Sequence, residues 1–308
     1  MAVDLSVTPF KYFPKPMPGE LAQSHFERIA TFNMGDGFQK GIVRYRFAKI
    51  GKLDVWSRPD INELVAQASD MSEQEYFDRH SLNPIYRLAV RRPGNDFSER
   101  GLFIASQKDT LMYRNRLEVF HCSMCDEETR KKYGYRYLHR IHYVPGIETC
   151  VRHNVTLMRI SGPDILAWRS EEFQARGDEL PTRDVDADYL PTIERYREVS
   201  FKVLESRSLV RPEALVSEIH ARLCSLGIDW YKSHGLTRLG KLLQANFPHS
   251  WLERNWPVVF DSHGCEFTKL KQRGFFTILI LAAICESVEE AMAWIFGPAF
   301  SESNYDRS

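Results

Sequence analysis

The stretch CSMCDEETRKKYGYRYLHRIHYVPGIETCVRH, residues 122–153, begins with a CxxC motif and ends with a CxxH motif. Two ligands separated by two residues suit a tight turn that points both side chains at one ion. Zinc accepts four sulfur and nitrogen ligands in a tetrahedron, so two such turns, joined by the hairpin that we expect between them, predict one Zn2+ per chain. The predicted ligands are Cys122, Cys125, Cys150 and His153. Four protein ligands leave no position for water, which predicts a structural site.

Two other interpretations of this stretch remain open. Cys122 and Cys125 are compatible with buried thiols or with a redox pair, although a redox CxxC is typical of a thioredoxin-like strand and helix and has no use for the CxxH. Three nearby histidines are rival ligands, which we expect to pack in the hairpin or to lie on its surface. They are His121, His139 and His142.

The charge balance of the chain argues against one class of nucleic-acid-binding protein. The 308 residues include 41 lysines and arginines and 41 aspartates and glutamates, so the formal net charge is zero. A protein that coats nucleic acid by bulk charge needs an excess of cations. The apolar fraction of 43% and the charged fraction of 27% are ordinary for a globular protein and exclude disorder as the main state.

No segment of the sequence predicts a membrane protein. The longest apolar run, FFTILILAAIC at residues 275–285, is shorter than the roughly 20 residues that a bilayer requires, and it predicts a buried core helix. The N-terminus has no basic region followed by an apolar run and a small-residue cleavage site. We therefore expect no secretory signal and a cytoplasmic location.

Apolar periodicity and capping residues predict a mainly α protein with three regions. Residues 1–93 are predicted to form a helical N-terminal region with helix-turn-helix character. Residues 94–162 are predicted to form the zinc-binding module with its small β-hairpin, and residues 163–308 a helical C-terminal region. In this last region Ser287 and Glu290 have the spacing of a helix capping box.

The helix-turn-helix character rests on two predicted helices. Asp60 can cap the first helix, and Ser72 with Glu75 has capping-box spacing for the second. The turn at residues 69–71 is short enough for such a unit. Two packed helices without a role in DNA binding fit the same residues equally well.

The sequence lacks the common catalytic motifs. It contains no GxxxxGK[S/T] phosphate loop, no GxGxxG dinucleotide motif, no GxSxG nucleophile motif and no HExxH zinc motif. The HxE and PCxxC signature of zinc deaminases is also absent. We therefore predict that the chain is not an enzyme.

Two segments carry cations that are candidates for contacts with nucleic-acid phosphates. The first spans residues 38–52, which contain no acidic residue, and the second surrounds the sequence LTRLGKLL. The candidate cations are Lys40, Arg44, Arg46, Lys49, Lys52, Lys232, Arg238 and Lys241. A solvated face of the protein is the commoner role of such residues.

Three stretches of the sequence resemble the TniQ/TnsD family of transposon target-site selection proteins. The first is a P…E-L…S…R pattern, which consists of Pro18, Glu20, Leu21, Ser24 and Arg28. The second is RHSLNPIY, residues 79–86, which is similar to an HTL-x-PLY-like segment of the family. The third is the stretch from CxxC to CxxH, with Val151 where the family usually has proline. The C-terminal LILAAICESVEEA is a weaker match.

The resemblance implies a non-catalytic adaptor in DNA transposition. Such a protein links a target, which is an RNA-guided CRISPR effector complex or a DNA site, to an AAA+ regulator that recruits the transposase. The chain lacks the second cysteine cluster of some members and is shorter than the TnsD members that read an attachment site.

The alternative function is that of a zinc-containing helix-turn-helix protein that reads a DNA site directly. Such a protein places polar side chains near the start of a helix in the major groove, and Thr237, Arg238 and Gln244 are candidates for this role. The residues leave open which of the two functions holds and whether the chain forms a homodimer.

Overall fold

A computed structural model of the chain describes residues 12–33, 65–66, 68–88, 118–161, 178–179, 187–206, 210, 212–229, 233–260 and 273–297. These residues divide into two compact units. The first unit contains those that lie within 1–83, 97–143 and 148–180, and the second contains those within 84–96, 144–147 and 181–308. The region boundaries predicted at residues 93/94 and 162/163 fall outside the described residues, so the three-region division stays a prediction.

The described residues are mainly helical, as predicted. The α-helices, in chain order, are α1 (Ala22–Asn33), α2 (Glu73–His80), α3 (Asn83–Tyr86), α4 (Ser123–Tyr133), α5 (Leu190–Glu205), α6 (Pro212–Ser225), α7 (Ser233–Asn246), α8 (His249–Asn255), α9 (Arg273–Ile284) and α10 (Val288–Phe296). Short 3-10 helices cover Arg140–Tyr143, Ala187–Tyr189 and Pro257–Phe260. The strands are β1 (Glu118–His121), β2 (Met158–Ser161) and β3 (Asp178–Glu179).

The three strands form a small antiparallel sheet in the first unit, in the order β1-β2-β3. Val119 pairs with Ile160, and both side chains are buried, whereas the neighbouring Arg159 of β2 is partly exposed. Phe120 and His121 of β1 are buried too, so the described side chains of β1 lie deeper than those of β2. The sheet ends at His121 on one strand and begins again at Met158 on the other, so it brackets the stretch between the two cysteine motifs.

The structure differs from the hairpin predicted between the two motifs. The residues after Cys122 form α4, which has Asp126 in its first turn and basic residues in its last turn, as the helix dipole favours. Gly134 ends this helix with a φ of 81°, a left-handed conformation that glycine adopts without strain. The antiparallel pairing comes from β1 and β2, which flank the motifs, because the charged residues 126–133 suit an exposed helix better than a strand.

The serine N-caps of the two predicted capping boxes are confirmed, one in each unit. Ser72 Oγ accepts a hydrogen bond of 3.1 Å from the N–H of Glu75 at the start of α2. Ser287 Oγ accepts one of 3.1 Å from the N–H of Glu290 at the start of α10.

Only part of the predicted helix-turn-helix unit lies within the described residues. Residues 65, 66 and 68 are helical and residues 69 and 70 form a turn, but Asp60 and most of the first predicted helix lie outside the described residues. The helix-turn-helix character therefore stays a prediction.

The second unit has a largely apolar core built on α9. This helix packs against α5, and Phe276, Leu279 and Leu281 on it have no exposed surface. The guanidinium of Arg195 on α5 donates a hydrogen bond of 2.6 Å to the carbonyl of Ala282. The predicted buried helix at residues 275–285 is thus confirmed. Within the part of the chain that the structure describes, no helix is long and apolar enough to cross a membrane.

Candidate metal centre

The first half of the predicted zinc site lies where β1 meets α4. Cys122 occupies the residue between them in an extended conformation, at the N-cap of the helix. Cys125 lies in the first turn of α4, three residues on. Residues three apart lie on the same side of a helix, so the strand-to-helix junction points both thiols in one direction.

The second half of the site is a tight turn. The N–H of Asn154 donates to the carbonyl of Cys150 over 2.8 Å, and the N–H of Cys150 donates to the carbonyl of Val155, also over 2.8 Å. Asn154 has a φ of 52°, a left-handed conformation that asparagine tolerates better than most residues. Thr149 and Thr156 form an antiparallel bridge at the base of the turn. The turn places the Cys150 and His153 side chains on one side.

The four predicted ligands converge on one point. Nδ1 of His153 lies 3.3 Å from Sγ of Cys125, 3.5 Å from Sγ of Cys122 and 3.6 Å from Sγ of Cys150. The Sγ atoms of Cys125 and Cys150 are 3.6 Å apart. All four ligand atoms lie within 4.8 Å of one another, and no other His/Cys/Asp/Glu group of the described residues could hold a metal in this way.

These distances fit a tetrahedral zinc site. Zinc–sulfur bonds of about 2.3 Å and zinc–nitrogen bonds of about 2.0–2.1 Å separate the ligand atoms of a tetrahedron by roughly 3.5–3.8 Å. The separations of 3.3–3.6 Å from His153 Nδ1 to the three sulfurs, and of 3.6 Å between the Cys125 and Cys150 sulfurs, are close to this value. Thiolate and imidazole are also the donors that zinc prefers among protein ligands.

The three thiols of the cluster are buried. Cys122, Cys125 and Cys150 each expose 1% or less of their surface. Hydrogen bonding with Cys122 and Cys125 lowers the pKa of Cys150, whereas hydrogen bonding with Cys122 and Cys150 raises the pKa of Cys125. Thiolates this close together and shielded from solvent would repel one another, and a divalent cation between them would neutralise their charge. The cysteines are free thiols, so the structure contains no disulfide between Cys122 and Cys125.

The outer nitrogen of His153 has its own partner. Nε2 lies 2.9 Å from Oε1 of Glu128, and Oε2 of the same carboxylate accepts a hydrogen bond of 3.0 Å from Arg152. Burial acts to lower the pKa of His153, but hydrogen bonds to Glu128 and to the cysteine sulfurs outweigh it and raise the pKa to about 9. Glu128 was not among the predicted site residues. Its signal in the sequence is its position three residues after Cys125, one helical turn further along α4.

The rival histidines are buried but are not part of the cluster. Nδ1 of His121 lies 2.6 Å from Oδ2 of Asp126, which also accepts from Arg136 over 3.3 Å. The ring of His139 packs on Tyr137 at 4.6 Å and faces His142 at 5.4 Å between centroids. Burial lowers the pKa of His139 to about 3 and that of His142 to about 4, so both rings are neutral at physiological pH. The three histidines therefore pack inside the first unit and do not lie on its surface, which were the two expectations from the sequence.

The residues of the N-terminal pattern P…E-L…S…R meet in a buried network. The carboxylate of Glu20 accepts two hydrogen bonds from the guanidinium of Arg28, of 3.0 and 2.6 Å, and one of 3.3 Å from Ser24 Oγ. Glu20 is completely buried and Arg28 exposes 7%. Burial raises the pKa of Glu20, and the hydrogen bonds from Arg28 oppose this rise.

This network is joined to the segment between the two cysteine motifs. The N–H of Leu21 donates to the carbonyl of Leu138 over 2.7 Å, and the N–H of Leu138 donates to Ser24 Oγ over 3.0 Å. Tyr137 Oη donates to the carbonyl of Pro18 over 2.9 Å. The N-terminal pattern and the cysteine stretch therefore belong to one hydrogen-bonded structure.

The predicted nucleic-acid contacts are mostly outside the described residues. These are Lys40, Arg44, Arg46, Lys49, Lys52 and Lys232. On α7, Lys241 is exposed, and the exposed Arg238 donates a hydrogen bond of 2.7 Å to the carbonyl of Gly227. The amide of Gln244 donates to the carbonyl of Val259 over 3.4 Å. A role of these cations in binding nucleic acid stays a prediction.

Comparison with known proteins identifies one domain. The TniQ family model matches residues 11–157, a segment that contains both the Glu20–Arg28 network and the four candidate metal ligands. A search of the curated proteins finds no match. Residues 11–157 therefore form a TniQ domain, which makes the chain a transposition-associated protein.

Proposed function

We propose that this chain is a non-catalytic target-selection adaptor in DNA transposition. It links a target-recognition complex to an AAA+ transposition regulator, and the target is an RNA-guided CRISPR effector complex or a DNA site. The observation that carries the proposal is the TniQ match over residues 11–157, which covers the polar network and the metal cluster of the first unit together. The neutral net charge suits a protein that acts mainly through protein contacts.

The proposal includes one structural Zn2+ per chain. Cys122, Cys125, Cys150 and His153 would hold it, and their separations and donor types support zinc. The ion would supply a crosslink between the strand-to-helix junction and the tight turn. Four protein ligands leave no coordination position for substrate or water, so the site supports folding and not catalysis.

The direct DNA reader receives no specific support from the described residues. Two of the candidate reading side chains, Arg238 and Gln244, donate hydrogen bonds to main-chain carbonyls of the chain itself. A few lysine and arginine contacts to phosphate would make isolated DNA binding weak and strongly dependent on salt. DNA contacts are therefore secondary in the proposed function.

The test is a binding assay with the full chain and each proposed partner in purified form. We expect binding to an AAA+ transposition regulator, and weak binding to duplex DNA that disappears as salt is raised. The double variant Cys125→Ser/Cys150→Ser should lose regulator binding. Cys224→Ser is the matched control, since Cys224 is an exposed thiol of the second unit.

Two results would count against the adaptor. One is failure of the zinc-loaded chain to bind any AAA+ regulator or effector complex. The other is tight, sequence-specific binding of duplex DNA by the chain alone at physiological salt, which would favour the direct reader.

A further inference from the structure

We propose that Glu128 is a positioning residue for the metal ligand His153. Its carboxylate holds the ring so that Nδ1, and not Nε2, faces the three cysteine sulfurs. This inference rests on the proposed zinc site, but it concerns a residue that does not touch the ion.

The two nitrogens of the His153 ring face different groups. Nδ1 lies 3.3–3.6 Å from the three sulfurs, and Nε2 lies 2.9 Å from Oε1 of Glu128. An ionised carboxylate only accepts hydrogen bonds, so Nε2 must carry a proton. When the ring gives up its other proton to bind a metal, the lone pair therefore lies at Nδ1. The contact with Glu128 thereby selects the tautomer that can bind a metal.

Glu128 also connects the two halves of the site. It lies on α4, which carries Cys125, whereas His153 and Arg152 lie in the turn that begins at Cys150. Both carboxylate oxygens are used, one by each residue of the turn. The carboxylate therefore clamps the second pair of ligands against the helix of the first pair. A carboxylate behind a ligating histidine also raises the basicity of the ring.

The neighbouring Glu127 offers a matched control. It has the same charge and lies on the same helix, and like Glu128 it is exposed. Its carboxylate accepts from Lys131 at 2.6 Å, an exposed pair one helical turn apart. A change of net charge or of helix propensity would affect both positions, whereas a role in ligand orientation belongs to Glu128 alone.

The experiment measures metal affinity in the full chain. Zinc is titrated against a competing chelator, and Co2+ is titrated with its visible absorption as the readout of ligand geometry. Glu128→Ala should weaken zinc binding about 10- to 100-fold, the usual effect of removing such a partner, and should alter the Co2+ spectrum. Glu127→Ala should leave both readouts unchanged. Glu128→Gln keeps an oxygen that can accept from Nε2, so it should retain part of the affinity.

Arg152→Ala separates orientation from surface charge pairing. It removes the Arg152–Glu128 pair but leaves the contact with His153, so its effect on zinc affinity should be smaller than that of Glu128→Ala. Equal affinities for Glu128→Ala and Glu127→Ala, with one zinc bound by the wild-type chain, would overturn the role of Glu128 and leave the zinc site standing. A wild-type chain that binds neither ion would instead overturn the zinc site itself.

Discussion

The two units bury different kinds of side chain. Among the described residues, the buried polar and charged side chains of the second unit are Ser200 and Thr277. Those of the first unit are Glu20, Ser24, His25, Arg28, Ser69, His80, Ser81, Asn83, His121, Asp126, Thr129, His139, Arg140 and His142. Apolar side chains are buried in both units, but the first unit adds many buried polar groups, whose hydrogen bonds must be correct residue by residue.

This difference explains why the first unit suits a metal. Each polar group inside a unit takes a place that an apolar side chain could fill, and a metal crosslink adds stability that does not depend on apolar burial. The specificity of a polar network also makes its residues recognisable as a pattern, which is how Glu20, Ser24 and Arg28 enter the family resemblance. An apolar core tolerates exchange among residues of similar volume and leaves a weaker pattern.

The largest expected effect is that of metal loss. Removing zinc with a chelator, or the substitution Cys125→Ser, should unfold the first unit, because apparent binding energies of structural zinc are on the order of 10 kcal/mol. The amides of α9 should keep their protection, since no candidate ligand belongs to the second unit. Hydrogen exchange measured separately for each peptide makes this comparison within one sample. Equal loss of protection in both units would break the contrast between them.

The next effect concerns the buried ion pair. Arg28→Ala leaves the fully buried Glu20 carboxylate without its main partner, which costs about 3–5 kcal/mol in stability. The control is Arg79→Ala, because Arg79 pairs with Glu75 at the surface and such pairs are worth about 0–1 kcal/mol. Denaturant unfolding of the zinc-loaded variants gives both values. Similar values for the two variants would show that the Glu20–Arg28 pair does not stabilise the unit.

Acid should destabilise the first unit selectively. His25 donates from Nε2 to the carbonyl of Pro14 over 2.7 Å, and Nδ1 of His80 donates to the carbonyl of Glu20 over 3.0 Å. Burial lowers the pKa of His25 to about 4 and that of His80 to about 3, from 6.5 in the unfolded chain. The unfolded chain therefore binds more protons, and stability that is complete above pH 6.5 is lost as the pH falls towards 4.

The slope of this loss is measurable. Each histidine contributes about 1.36 kcal/mol per pH unit, so His80→Gln should make the dependence of unfolding free energy on pH shallower by about that amount below pH 6. Zinc content has to be measured at each pH, because metal release would also destabilise the unit. An unchanged slope in His80→Gln would mean that His80 does not titrate in this range.

The smallest expected effect is equal in the two units. Ser72→Ala and Ser287→Ala each remove one N-cap hydrogen bond, of 3.1 Å in both cases, and each should cost about 1 kcal/mol. Helix caps are local, so their value should not depend on whether the nearby core is polar or apolar. Thermal unfolding, with the exchange of α2 and α10 amides as local probes, would detect an inequality between the two.

Local features of this chain were predictable, and long-range ones were not. The spacing of Cys122 and Cys125 predicts a metal ligand pair because a single turn brings both side chains together. The same holds for the caps at Ser72 and Ser287, which depend on residues three positions away. The continuous apolar run at residues 275–285 predicts a buried helix for a similar reason, because it can be read from neighbouring residues.

Two features could not be predicted without the three-dimensional structure. Glu128 looks like any exposed helix carboxylate until the turn at Cys150 is placed beside it. The predicted hairpin is replaced by α4 and an extended segment because residues 135–140 bond to the N-terminal segment and not to each other. Local propensity cannot predict a hydrogen-bond partner that lies more than 100 residues away.

The bonds between residues 15–28 and residues 135–140 have a consequence for synthesis on the ribosome. Arg28 contacts Tyr135, and Ser24 contacts Leu138, at sequence separations of 107 and 114 residues. The N-terminal segment leaves the ribosome first but has to wait for partners made much later, and the second ligand pair follows later still. Such a topology of distant contacts folds slowly. The earliest-made part of the TniQ domain is therefore among the last to be secured, and it stays open to chaperones and proteases for longer than the helices of the second unit, whose partners in α5–α10 lie nearer in the chain.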